Sequence, residues 1–389
     1  MMDLLLSRRA FLIGCSAAAS PLVTPVTFAQ AKGENRLVVI VLRGAMDGLD
    51  VVRPTGDLGF AALRPTLAAG QGPALNDFFT LHPAAEPLMP LWRAGELGFA
   101  HATATPYRQG RSHFVGQDAL ENGTDALDGT PTQAHDGWLN RALGLIPGAH
   151  AETGVSVGQQ RLLLLEGATP TDHWFPVDES PLSPQGLQLI AALNEADPLF
   201  AAPFAQAQRL ADTADGMTGG VPRGKGQYRQ LGTYVAQRLL GPSRIASFSF
   251  GGWDMHKDQA RAMAGQLGGL SDAIVALKEG LGAAWGTTLV LGITEFGRTA
   301  RENGTGGTDH GTGGLAILAG GALRGGQVFG KWPGLGESAL FESRDLMPTT
   351  DVRSYPAWAL QALFGVSGAD LETRVFPGLD LDRDPGLVL

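Results

Sequence analysis

RLVVIVLRGAMDGLD, residues Arg36 to Asp50, decides the fold. Six apolar, mostly β-branched residues follow Arg36 without alternation, the pattern of a strand buried on both faces of a parallel sheet. The chain then turns polar at once, with Gly44 and Gly48 on either side of Asp47. Open α/β sheets bind ligands beyond the carboxyl ends of their strands, so this stretch predicts a sheet and a site together. Shorter runs of the same kind at Gly95–Thr103, Arg244–Phe250, Thr287–Ile293 and Gly314–Ala319 predict further strands. Helix-like stretches lie between them, at Pro83–Ala94, His113–Glu121, Tyr228–Leu240, about Lys257–Trp285 and Pro356–Phe364. Such alternation predicts an α/β protein wound on mostly parallel strands. Residues 122–225 are polar and rich in Pro and Gly, with a strand candidate at Leu162–Leu165. They read as a loop-rich cap or insertion at about 122–225 on a single domain spanning 32–389.

The amino-terminal end reads as an address. Ser7-Arg8-Arg9-Ala10-Phe11-Leu12 is a twin-arginine motif, followed by a mildly apolar stretch and small residues at Ala29 and Ala31. Residues 1–31 are therefore expected to be an export signal, with the twin-arginine machinery as a partner and a periplasmic or extracellular destination. Cys15, in Leu12-Ile13-Gly14-Cys15, also fits a lipoprotein cleavage box, although the apolar region before it is short for one. It is the only cysteine of the 389 residues, so the rest of the chain offers no thiolate ligand, nucleophile or disulfide. A formal net charge of −9 argues against nucleic acid as a partner. No run approaches the roughly 20 apolar residues of a stable membrane span.

Polar density gathers after the expected strands. The segments are Arg43–Asp50, Tyr107–Phe114, Gly251–Asp258 and Thr294–Thr299, the last leading through a glycine-rich loop to Thr308-Asp309-His310-Gly311. Asp47, Asp254, His256, Glu295 and His310 stand at successive strand ends, with glycines that let the backbone approach an ion or ligand. Asp, Glu and His without Cys suit zinc, manganese, magnesium or calcium, one ion or two. Arg43, Arg111 and Arg298 are candidates to clamp an oxyanion. Ser112 stands at an expected helix N-cap beside His113. The other histidines, His82, His101, His135, His150 and His173, lack such surroundings and are expected to be structural or solvated.

The pieces SRRAFL, VLRGAMDGLDVVRP, LHPAAEPLMPLWRAGELGFAHA, RSHFVGQD, GGWDMHKDQ, TEFGRTARENGTGGTDHG and PTTD, in this order, resemble an exported bacterial family known as domain of unknown function 1501, at nearly full length. That family looks like a divergent branch of the alkaline phosphatase and sulfatase superfamily. The resemblance implies an alkaline-phosphatase-like three-layer sandwich around a mostly parallel sheet. It also implies a two-metal site, with Asp47 as the first-strand ligand and Asp254 and His256 as the mid-chain ligands, here spaced Asp-x-His. Two mappings remain for the superfamily's Asp-His pair. By letters it is Asp309-His310. By position along the strands it is Glu295-Phe296, with His310 as the later histidine. The superfamily's nucleophile falls on Gln109, four residues before His113, which leaves Ser112 as attacking group or ligand with His113 supporting it.

The function expected from this is metal-dependent hydrolysis of a phosphate, phosphodiester or sulfate ester in a small or polymeric anionic substrate. The alternative is a non-catalytic periplasmic binding or assembly protein that keeps the fold.

Overall fold

A computed structural model describes residues 34–108, 110–124, 136–158, 161–174 and 226–389. The expected signal segment with Cys15, Gln109, His135 and the whole of 175–225 lie outside the described residues. In chain order the strands are β1 (Arg36–Leu42), β2 (Val52–Arg53), β3 (Thr80–Leu81), β4 (Leu97–Ala104), β5 (Gly154–Val157), β6 (Asp172–Trp174), β7 (Ile245–Phe250), β8 (Thr288–Ile293), β9 (Gly314–Ala319), β10 (Val328–Phe329) and β11 (Thr350–Asp351). Nine of them form one sheet in the order β10-β4-β9-β8-β1-β7-β5-β6, with β11 also pairing β4. Each pairing is parallel except those of β9, which runs antiparallel to both β4 and β8. β2 and β3 make a separate two-stranded ribbon.

β1 lies at the centre because its residues have nowhere else to go. All seven are buried. Val38, Ile40 and Leu42 enter one hydrophobic core, and Leu37, Val39 and Val41 enter the other. Burying each such side chain contributes about 1.5–3 kcal/mol, so both faces must be covered. Helices supply the cover. Among those of ten residues or more in the described residues, α2 (Gln227–Leu240) and α3 (Gln259–Leu281) pack on the first face, and α4 (Ser354–Phe364) on the second. α1 (His113–Asn122) follows β4. The result is a mostly parallel sheet between two helical layers, the architecture expected.

Two expectations change in detail. Leu162–Leu165 is not a strand: Leu163–Leu165 forms a 3-10 turn whose Leu164 amide donates to Glu121 Oε2 at 3.2 Å. The helix expected to reach Trp285 stops at Leu281, because Gly282 takes φ +53° and the chain continues as a 3-10 turn. Within 122–225, β5 and β6 extend the main sheet beside β7.

Direction matters for the site. β1, β4, β7 and β8 point their carboxyl ends the same way, and antiparallel β9 begins at that same edge. Residues after four strands and residues before a fifth therefore meet.

Candidate metal centre

Three histidines converge on one carboxylate. His113 opens α1 after β4, Asp254 and His256 follow β7, and His310 precedes β9. Asp254 Oδ1 lies 3.0 Å from His256 Nε2 and 3.1 Å from His310 Nε2, and its Oδ2 lies 3.3 Å from His113 Nε2. His310 Nε2 is also 3.0 Å from His113 Nε2 and 3.1 Å from His256 Nε2.

The opposite ring nitrogens explain the arrangement. His113 Nδ1 lies 2.8 Å from Glu295 Oε1, His310 Nδ1 2.9 Å from the Arg111 carbonyl, and His256 Nδ1 3.0 Å from Asp309 Oδ1. Each partner can only accept, so each Nδ1 carries the proton and each Nε2 faces inward. Two Nε2 atoms about 3 Å apart share at most one proton. The inward lone pairs of three imidazoles, with one carboxylate, are a donor set that suits zinc or a similar divalent ion. His113, Asp254 and His310 offer their donor atoms within 4.8 Å of one another.

The surrounding groups hold this cluster. Glu295 is fully buried, and besides His113 it accepts from the Gly44 amide (2.9 Å), Gln117 Nε2 (3.2 Å) and the Thr294 hydroxyl (3.0 Å). Burial alone would raise its pKa, but these hydrogen bonds, led by that of His113, bring it below the usual glutamate value. The same bond, with the charges of Glu295 and Asp254, raises the pKa of His113 against the cost of burial. Asp254 is also opposed by burial, yet Arg298 Nη1, at 2.7 Å, holds it at about 2. The pKa of His310 is lowered by burial and by the neighbouring charges of His113 and Arg298. Phe296 stacks on His113 with ring centroids 5.0 Å apart and closes the apolar side.

The expected residues sort accordingly. Asp254, His256 and His310 are brought together. Glu295 and Asp309, expected as ligands under one mapping or the other, accept from His113 Nδ1 and His256 Nδ1. Asp47 stands apart, 2% exposed and bound by Arg64 Nη1 (2.6 Å) and Gln259 Nε2 (2.7 Å). The three arginines are all engaged. Arg298 supports Asp254 and Thr308, Arg43 pairs with Glu121 and Gln117, and Arg111 pairs with Glu342 and Asp345. Ser112 is the N-cap residue of α1, but its hydroxyl makes no capping hydrogen bond. Sequence reasoning gave His113 a supporting role and passed over Gln117, Arg64 and Asp345. The signal that could have raised His113 is its position opening the helix that follows β4, at the same edge of the sheet as the other expected ligands.

Fold and cluster together define an α/β protein with a candidate metal centre at the carboxyl edge of its sheet. The chain belongs to the family described as protein of unknown function (DUF1501), whose model matches residues 104–370. Arg43 and Asp47 fall outside that match, which is shorter than the nearly full-length likeness expected. A search of curated proteins found no match. Among solved structures the chain is similar to the sulfatase PsFucS1 from Pseudoalteromonas sp., with 12% identity, 92% of this chain and 74% of that one covered, and a TM-score of 0.44. It is similar to the alkaline phosphatase from the Antarctic bacterium TAB5, with 12% identity, coverages of 74% and 92%, and a TM-score of 0.36. A third is the C-terminal periplasmic domain of EcEptC from Escherichia coli in complex with Zn, with 11% identity, coverages of 92% and 94%, and a TM-score of 0.37.

Proposed function

We propose that the chain is an exported, metal-dependent hydrolase of phosphate, phosphodiester or sulfate esters. The observation that carries this reading is the inward convergence of His113, His256 and His310 on Asp254, with each Nδ1 proton taken by an acceptor. Such a site is pre-organised for a divalent ion. Asp254 and His256 are among its more exposed members, so the ion would keep a face open to substrate. An ion held there supplies a Lewis acid that polarises the ester and activates a nucleophile at neutral pH. The chain's own residues do the rest. Glu295 and Asp309 fix the ring orientations, Arg298 keeps Asp254 ionised, and Phe296 keeps water from one side. Ser112, in the chain between Arg111, whose carbonyl holds His310, and His113, is the side chain we assign as attacking group. Attack would form an oxygen–phosphorus or oxygen–sulfur bond to Ser112 and break the bond to the alcohol, which departs with the serine's proton. Water would then attack the same centre, break the bond to Ser112, return a proton to it and release phosphate or sulfate. A cleft of about 520 Å³ lined by Asp309, Asn303, Arg301 and Arg344 adjoins the cluster and would receive the remainder of the substrate. The twin-arginine motif supports export.

One observation favours the non-catalytic binding reading: Arg43, Arg111 and Arg298 are each committed to an acid. The separating experiment loads the protein with zinc or manganese and offers 4-nitrophenyl phosphate, bis(4-nitrophenyl) phosphate and 4-nitrophenyl sulfate. Turnover of at least one ester, abolished in His310→Ala, is expected. A fully loaded protein inert to all three would leave the binding reading in its place.

A further inference from the structure

The superfamily likeness implies a second metal ion at Asp47, and the residues there do not fit one. Both carboxylates at this place are already neutralised. Arg64, fully buried, donates from Nη1 to Asp47 Oδ2 at 2.6 Å, from Nη2 to the Thr299 carbonyl at 2.7 Å and from Nε to the Ala300 carbonyl at 2.9 Å. Asp50 Oδ1 accepts from Arg53 Nη2 at 2.8 Å and from its Nε at 3.2 Å. Gln259 Nε2 joins the two acids, 2.7 Å from Asp47 Oδ2 and 2.9 Å from Asp50 Oδ2. Asp47 Oδ1 accepts from the Leu49 amide at 3.2 Å, as the N-cap of a short helical turn. Every one of these side chains is buried. Two carboxylates facing two guanidiniums are balanced in charge. A divalent ion added to them would stand uncompensated in a medium of low dielectric, at a cost no remaining lone pair offsets.

We infer that Arg64 is a built-in cation that takes the place of a second metal ion, so the centre at Asp254 binds a single ion. Guanidinium suits the position because its planar fork meets one carboxylate and two carbonyls from three separate nitrogens, a spread that the single ammonium nitrogen of a lysine does not have. The inference rests on the proposed metal centre for the first ion and stands apart from it for the second.

The test combines ion content at saturation with thermal melting. Wild type dialysed against excess manganese is expected to hold one ion per chain. Asp47→Asn should hold the same one ion, whereas Asp254→Asn should lose it. Arg64→Met strands a buried charge and should lower the melting temperature by roughly 5–10 °C. Asp47→Asn combined with Arg64→Met removes both charges and should recover at least half of that fall. Two ions per wild-type chain, or loss of an ion in Asp47→Asn, would overturn the inference. Failure of the double variant to recover would overturn it too. A wild type that holds no ion, with the melting pattern intact, would remove the proposed function while leaving Arg64 as the balancing cation of Asp47.

Discussion

At the scale of single residues, the site is governed by which nitrogen of each histidine is spoken for. Asp254, His256 and His310 stood out in the sequence because acids and histidines at strand ends, cushioned by glycine, are hard to account for otherwise. The division between the groups that meet in the cluster and those that hold them from behind was not legible. Glu295 and His113 are 182 positions apart, and only the fold shows that one carboxylate serves the other's Nδ1. Asp309 is adjacent to His310 yet supports His256. These two acids should differ in weight. Glu295 is buried with four donors around it, and Asp309 is about half exposed with two. Glu295→Gln is therefore expected to weaken ion binding by about 10–100-fold, the range for losing an orienting partner. Asp309→Asn should cost less than about 10-fold. Competitive titration of both variants with a chromogenic chelator reads the order, and a larger loss for Asp309→Asn would reverse the assignment of roles.

Elements bring these residues together through strand direction and close loop packing. The sequence showed β9 as an apolar run but not its antiparallel course, since periodicity carries no direction. That course is why His310, before a strand, meets Asp254, after one. Loop packing at the edge depends on Gly44, with φ +114° and a Cβ that would lie 2.6 Å from the Asp254 amide nitrogen. Backbone, not a movable side chain, fills that space. Gly44→Ala should cost about 1–3 kcal/mol of stability and displace the Asp254 loop. Urea unfolding with and without zinc checks it. Stability and zinc response both unchanged would mean that the two loops are not packed as described.

Over the whole molecule, the two-faced burial of β1 was readable from six residues, and with it the layered architecture. Polar groups that the core encloses were less readable, His101 among them. Its Nε2 donates to the Val52 carbonyl at 2.8 Å, its Nδ1 is buried without a partner, and Phe79 and Trp332 pack on its ring. Burial holds its pKa at about 4, against 6.5 when exposed. The unfolded chain thus takes up a proton at a pH where the folded chain does not. The resulting stability is complete above about pH 6.5 and is lost as pH falls toward 4, to the extent of about 3 kcal/mol. Comparing urea midpoints at pH 7 and pH 4.5 for wild type and His101→Phe should show a smaller acid loss in the variant. An equal loss in both would place the proton uptake elsewhere.

The central claim, that three imidazoles and one carboxylate of this chain hold one divalent ion, is tested most directly by X-ray absorption on the zinc-loaded protein. The spectrum should show three imidazole nitrogens at roughly 2.0–2.1 Å with a carboxylate oxygen beside them, and one imidazole fewer in His256→Ala. A shell of oxygens alone, or a protein that takes up no zinc, would contradict it.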